Sequence, residues 1–191
     1  MNIIKNNVGE VYEFYVEKAI ELSKRFKGCK VLKTDCHNES GIFGHSKPII
    51  PRIWDNVSVT ALEIDQTVIN RAKDNIGVDK WVVVQGDIRK LPFKEMEFSL
   101  IMDFSTIDHV HYEQLRSALL EYQRVSEFFF IVVWTSKHNR TCTSVSGQYY
   151  FEKAFFEEKL RPLCETLSSY ALWVHPNNND DVLMVYEGEW K

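Results

Sequence analysis

The sequence lacks several features that would make its chemistry easy to read. Its four cysteines, Cys29, Cys36, Cys142 and Cys164, show no CxxC spacing, which argues against a zinc knuckle and a dithiol redox site; free buried thiols are expected. No dense Lys/Arg run occurs and the formal net charge is -4, so nucleic acid is not the expected partner. Long apolar runs are missing too: Phe128 to Trp134 is far too short to span a bilayer, and the opening MNIIKNNVGE has no apolar signal-peptide core. The expectation is a cytoplasmic protein without a membrane partner. No GxGxxG opens the first helix, which disfavours an NAD-dependent dehydrogenase. His109 and His111, with Asp108, stand at i and i+2, a spacing that does not bring two imidazoles together on a helix face, so no metal site is expected.

What is present suits one domain, residues 1–191. The 191 residues are 45% hydrophobic and 26% charged, enough for a single folded unit with a real core. Val8, Val11, Tyr12, Tyr15, Ala19, Leu22 and Phe26 recur at threes and fours, predicting an amphipathic helix over about 8–27 that stops at Gly28. Val31-Leu32 opens a first strand. Gly44, Pro48 and Pro51 then allow only a short or broken helix between 42 and 53. Val57 to Ile64 reads as a second strand, and Asp65 caps a helix from Gln66 to Asn75 that ends at Gly77. Trp81 to Gln85 and Phe98 to Phe104 read as strands, and Tyr112 to Val125 as a helix. The nearly all-apolar Phe128 to Trp134 suits a strand buried on both faces at the sheet centre. Ser136 to Gln148 is polar and long enough for a lid. Phe151, Phe155, Phe156 and Leu160 mark a helix, and Thr166–Val174 with Val182–Glu187 an antiparallel terminal pair. The alternation predicts an α/β, Rossmann-like, doubly wound and mostly parallel seven-stranded sheet with an antiparallel terminal strand and helices on both faces.

The polar burst in KVLKTDCHNESG, residues 30–41, falls at the end of the first strand, where open α/β sheets collect ligands; the bland alternative is a strand-to-helix loop of caps and turns. Acids gather at the ends of the four early strands: Asp35 with Asn38 and Glu39, then Glu63, then Asp87, then Asp103 with Asp108 and His109. Parallel neighbours lie about 5 Å apart, so these acids can address one donor-rich ligand. Ribose hydroxyls, an adenine amine and an amino-acid ammonium fit that description and together point to S-adenosylmethionine.

At these residues the chain resembles the class I S-adenosylmethionine-dependent methyltransferases. VTALEIDQTVINRAKDN is similar to that family's second strand, which implies Glu63 as ribose ligand, Ile64 beside it and Asp65 as cap. VVVQGDIRKLPF is similar to the third-strand motif and implies Asp87 as acceptor of the adenine amine, with Ile88 packing the ring. FSLIMDFSTIDHVHYEQLRSALLEYQRV resembles the fourth strand and following helix of small-molecule methyltransferases, with Asp103 at the strand end and His109 at a frequent motif histidine. The opening stretch departs from the family: KTDCHNESG lacks most glycines of the GxGxG loop, and Lys33 stands where an acid is usual. Either Asp35 and Glu39, with Asn38, take over the ammonium contact, or cofactor binding is weakened or gone. The resemblance implies S-adenosylmethionine as cofactor, a small-molecule methyl acceptor as partner and His109 as a general base, with a histidine that supports other site residues or shapes the substrate space as its alternative. It leaves room for a homo-oligomer. The rival reading is a catalytically silent methyltransferase-like module that binds a nucleoside or a protein partner.

Overall fold

The computed structural model describes residues 7–41, 47–141, 147–175 and 178–191. Helix α1 (Val8–Arg25) starts where the Asn7 side chain accepts the Glu10 N–H at 3.1 Å, and it buries Val11, Phe14, Tyr15, Ala19 and Leu22. It gives way at Phe26 to a turn with Gly28 at φ 83. Strand β1 (Lys30–Lys33) follows, then two single-turn helices, α2 (His37–Ser40) and α3 (Ile50–Ile53). This is the broken crossover that Pro48 and Pro51 imply, because proline removes a backbone donor and crowds the preceding turn.

Strand β2 (Ser58–Glu63) leads into α4 (Gln66–Ile76). Asp65 caps that helix by accepting the Thr67 N–H at 2.6 Å, and Gly77, at φ 73, closes it. Strands β3 (Trp81–Gln85) and β4 (Phe98–Phe104) have the bounds expected from the sequence. Helix α5 (Leu115–Val125) follows a 3-10 turn at Tyr112–Gln114. Strand β5 (Ser126–Ser136) precedes two short strands, β6 (Arg140–Thr141) and β7 (Tyr149–Glu152), then helix α6 (Lys153–Leu160) and the long β8 (Cys164–His175) and β9 (Asn178–Trp190).

The strands β3, β2, β1, β4 and β5 lie side by side in that order, all parallel. Strand β9 runs antiparallel to β5, and β8 antiparallel to β9. The doubly wound, mostly parallel sheet is therefore present, with nine strands among the described residues where seven were expected. The two extra strands come from the segment read as a loop: β6 pairs with β7, and β7 joins the end of β5 at Thr135 and Ser136. This corrects one assignment, since Phe151 belongs to β7 and the helix begins at Lys153.

Alternating strand residues separate two cores, as the pleat requires. Val31, Leu100, Met102, Phe130 and Val132 pack under α1, α3 and α4. Leu32, Ile101, Phe129, Ile131 and Val133 pack under α5 and α6. At Gly188 a side chain would sit 2.0 Å from the Thr166 carbonyl oxygen, so only glycine fits where β8 bulges against β9. No described helix is long and apolar enough to cross a membrane. The winding reverses between β1 and β4, so the crevice at their carboxyl ends is the topological switch point.

Candidate functional site

Two groups of side chains line this edge of the sheet, and they differ in how much of their bonding capacity the protein uses. The first lies at the end of β1. Lys33 has no exposed surface, and its ammonium donates to the Asp35 carbonyl at 2.7 Å and the Asp35 carboxylate at 3.0 Å, and pairs with Glu39 Oε2 at 3.1 Å. Burial alone would strip its proton, but the Asp35 and Glu39 charges outweigh burial and hold the Lys33 pKa above the ordinary lysine value. Asp35 responds in kind: burial pushes its pKa up, Lys33 and His37 pull it down, and the net shift is downward. Its second oxygen accepts the Thr106 hydroxyl at 3.1 Å, and the His37 N–H donates to its first at 2.9 Å.

Glu39 is half committed: its Oε2 pairs with the Lys33 charge but accepts no hydrogen bond among the described residues. Its Oε1 accepts the N–H groups of Ile49 and Ile50 at 3.0 and 3.1 Å, fastening the start of α3. Asn38 is buried in α2, and its amide nitrogen has no hydrogen-bond partner among the described residues. Cys36 is buried beside it, and desolvation pushes its thiol pKa well up, so it is no thiolate nucleophile. Cys29 and Cys164 are also free thiols, while Cys142 lies outside the described residues.

Behind β4 sits a second buried group. Asp103 accepts from the Thr106 N–H at 2.7 Å, the Ile107 N–H at 3.0 Å and the Tyr122 hydroxyl at 2.6 Å. Burial nonetheless dominates and raises its pKa to about 7. Asp108 is also fully buried and is raised well above its ordinary value by burial and by Asp103; it accepts from Gln148 at 3.1 Å. Ser105 lies between them at φ 68, a left-handed conformation that is strained for serine. Its N–H donates to the Val132 carbonyl at 3.0 Å, and its hydroxyl lies 3.2 Å from that of Tyr15 on α1.

The ends of β2 and β3 are more open. Glu63 is buried and accepts the Cys36 N–H on Oε2 at 3.1 Å and the Ile64 and Asp65 N–H groups on Oε1 at 2.8 and 3.0 Å, three of the roughly four acceptor positions a carboxylate offers. Ile64, next to it, is 61% exposed. Asp87 is partly exposed, and Arg89 occupies both its oxygens, with its backbone N–H on Oδ1 at 2.8 Å, Nε on both at 2.9 Å and Nη2 on Oδ2 at 2.5 Å, holding its pKa below the usual range. Arg89 in turn reaches Gln114 at 2.8 Å. Ile88 is buried against Leu91 and its neighbours.

His109 closes a 3-10 turn, Ile107–His109, and is exposed. The protein mass on its inner side and then nearby His37 hold its pKa below the ordinary histidine value, against the opposing pull of Asp35 and a bond with the Gly147 backbone. At pH 7 its ring is neutral. The start of the 136–148 segment is anchored by bonds of its own: Ser136 donates to Asp181 at 2.7 Å, Arg140 pairs with Asp181, and Asn139 accepts the Glu152 N–H at 2.7 Å. Residues 142–146 of the lid read from the sequence lie outside the described residues.

The structure thus brings Asp35, Asn38, Glu39, Glu63 and Asp103 onto one edge, but their bonding differs. Glu39 and Asp103 are wholly enclosed, whereas Ile64, Asp87 and His109 face out. Sequence reasoning did not single out Arg89, Thr106, Tyr122 or Gln148. Tyr122 fell into an apolar helical pattern, and only its hydroxyl hinted at a polar partner.

Residues 44–127 match the model of a family described as a methyltransferase domain. The match begins after the glycine-poor loop and spans β2 to α5. Among solved structures, the N-terminal domain of EvdMO1, determined in the presence of SAH and D-fucose, is similar at a TM-score of 0.68 and 12% identity over 98% of this chain and 85% of that one. The N-methyltransferase NodS from Bradyrhizobium japonicum WM9, in complex with S-adenosyl-L-homocysteine, is similar at 0.65 and 15% identity, over 97% and 89%. The cyclase SpnF is similar at 0.67 and 10%, over 98% and 86%. No curated protein sequence matches the chain. Residues 44–127 are thus similar to a methyltransferase domain, and the chain shares the Rossmann-like fold of these solved structures.

Proposed function

We propose that the protein transfers a methyl group from S-adenosylmethionine to a small-molecule acceptor, with the nucleoside held along the β2–β3 edge. The observation that carries this reading is Ile64: a large apolar side chain left 61% exposed between Glu63 and Asp87, inside the segment that matches a methyltransferase domain. An isolated exposed isoleucine is ordinary. One flanked by two carboxylates at strand ends of a doubly wound sheet fits the apolar floor and polar rim of a ligand site.

In this reading Ile64, with Ile88 behind it, gives apolar contact to a flat base. Asp87 accepts from an exocyclic amine while Arg89 keeps it ionised, and the remaining acceptor position of Glu63 takes a ribose hydroxyl. Asp35 and Asn38 border the cofactor at the β1 end, while Glu39 and Asp103 serve the protein's own loops. S-adenosylmethionine, when bound, supplies the electrophilic methyl group. The protein aligns the acceptor with it, which removes much of the entropic barrier. His109, neutral at pH 7, accepts the proton of an acceptor hydroxyl or amine. Gly147 and Gln148, at the end of the 136–148 segment, meet His109 and Asp108 and shape the acceptor side.

A second reading is a catalytically silent module that binds a nucleoside or a protein. It is favoured by the Lys33–Asp35–Glu39 cluster, in which a buried lysine already pairs with both carboxylates. Calorimetric titration with S-adenosylmethionine and S-adenosylhomocysteine tests the first reading: both are expected to bind, and binding of neither ends it. Transfer of labelled methyl to a panel of hydroxyl and amine acceptors separates the two readings, since a silent module binds the nucleoside and transfers nothing.

A further inference from the structure

Two stretches far apart in the sequence meet at the proposed base: residues 108–111, which follow β4, and residues 147–149, which run into β7. Asp108 has no exposed surface, and its Oδ2 accepts from Nε2 of the buried Gln148 at 3.1 Å. The next residue, His109, is exposed, and its ring bonds with the backbone of Gly147, the residue before Gln148. Further on, the His111 and Tyr149 rings meet edge-on with centroids 5.2 Å apart. Of these contacts only Asp108–Gln148 joins two buried side chains, so it is the one that water competes for least and that fixes the register. Burial, and after it Asp103, favours the neutral form of Asp108, and a neutral carboxyl oxygen accepts from Gln148 much as an amide oxygen would.

The Gly147 contact has a direction. It favours the protonated ring of His109, and a backbone group does that by accepting a ring N–H through its carbonyl. In a neutral imidazole the nitrogen bonded to a carbonyl keeps the proton, and the other keeps a lone pair. Gly147 itself is exposed and turns at φ 74, a left-handed conformation that glycine enters without strain. We infer that Gln148 is a positioning residue for His109: held by Asp108, it seats the Gly147 carbonyl on one ring nitrogen and leaves the other free to take the acceptor's proton. This rests on His109 being the base, as proposed above.

Nitrogen NMR of the histidine-labelled full chain at about pH 8, where the rings are neutral, reads the tautomers directly, with His109→Gln assigning the signal. One His109 tautomer is expected in the unaltered protein, and an even mixture of both overturns the inference without recourse to any variant. Gln148→Leu, which keeps the bulk and removes the donor, should show both tautomers and lower the kcat of methyl transfer about tenfold, with the KM for S-adenosylmethionine unchanged. Asp108→Ala should show both tautomers as well, and Asp108→Asn, which restores an oxygen for Gln148, should recover the single one. Gly147→Ala strains the left-handed turn at an exposed position and should repeat the Gln148→Leu result if that variant does not fold. A single tautomer or an unchanged rate in the folded Gln148→Leu or Gly147→Ala protein overturns the inference and leaves His109 standing as the base. Methyl transfer that survives His109→Gln undiminished overturns that reading of His109, and the inference with it.

Discussion

The ends of β1 and of β2–β3 lie side by side on one sheet edge yet are built in opposite ways. At β1 a buried lysine pairs with two carboxylates, one of which fastens the start of α3 at Ile49 and Ile50. At β2–β3 an isoleucine is left in water and a carboxylate is held ionised by an exposed arginine. Acidic residues at strand ends are therefore not equivalent. A carboxylate shut away from solvent beside a buried cation works as a structural clasp, and one paired with an exposed arginine stays within reach of a ligand.

The comparison breaks most visibly if the clasp proves unimportant. Lys33→Met leaves Asp35 and Glu39 buried without their cation and should destabilise the fold by about 3–5 kcal/mol in urea denaturation. A loss below about 1 kcal/mol would mean the cluster is not holding the loop. The pH dependence of stability is the next largest effect. Asp103 titrates near 7 in the folded protein and near its ordinary value of about 4 when unfolded, so the folded state binds the extra proton between these values. Its contribution is full below about pH 4 and is lost as pH rises through about 7, on the order of 2–4 kcal/mol. Asp108 shifts in the same direction. Urea melts from pH 4.5 to 8 should show the decline, and Asp103→Asn should flatten it while weakening the loop that Thr106, Ile107 and Tyr122 fasten.

On the open side, His109→Gln should lower methyl transfer by about 10²-fold with S-adenosylhomocysteine binding unchanged. In the unaltered protein the acidic limb of the rate profile should fall below the ordinary histidine value of about 6.5, because the folded ring resists protonation. Asp87→Ala should weaken nucleoside binding about tenfold, measured by calorimetry, with a stability change within about 0.5 kcal/mol. Ile64→Ala should do the same more mildly, roughly threefold, since it removes apolar contact alone. If Asp87 and Ile64 variants bind normally while Lys33→Met does not, the roles assigned to the two ends are reversed.

Much of this was legible in the chain itself. The Asp65 cap, the Gly77 stop and the apolar period between them fix α4 locally, because each acts within a few residues. The terminal hairpin and the bounds of β3 and β4 follow from β-branched and aromatic runs in the same way. Residues β6 and β7 escaped notice because strands of two and four residues carry too little pattern to register. The candidate site was half visible. Lys33 stood out as a misplaced cation, but its pairing with Glu39 depends on α2 folding back over β1. The engagement of Glu63 with the Cys36 N–H likewise joins groups 27 positions apart.

By itself, then, the sequence determined the longer strands and helices, the parallel doubly wound sheet and the row of acids at its edge, since propensity, capping and hydrophobic period are written in neighbouring residues. Only the tertiary structure decided which of those acids face a ligand and which close a loop. That choice depends on where donors distant in sequence arrive, and burial then sets whether a carboxylate is filled, protonated or free.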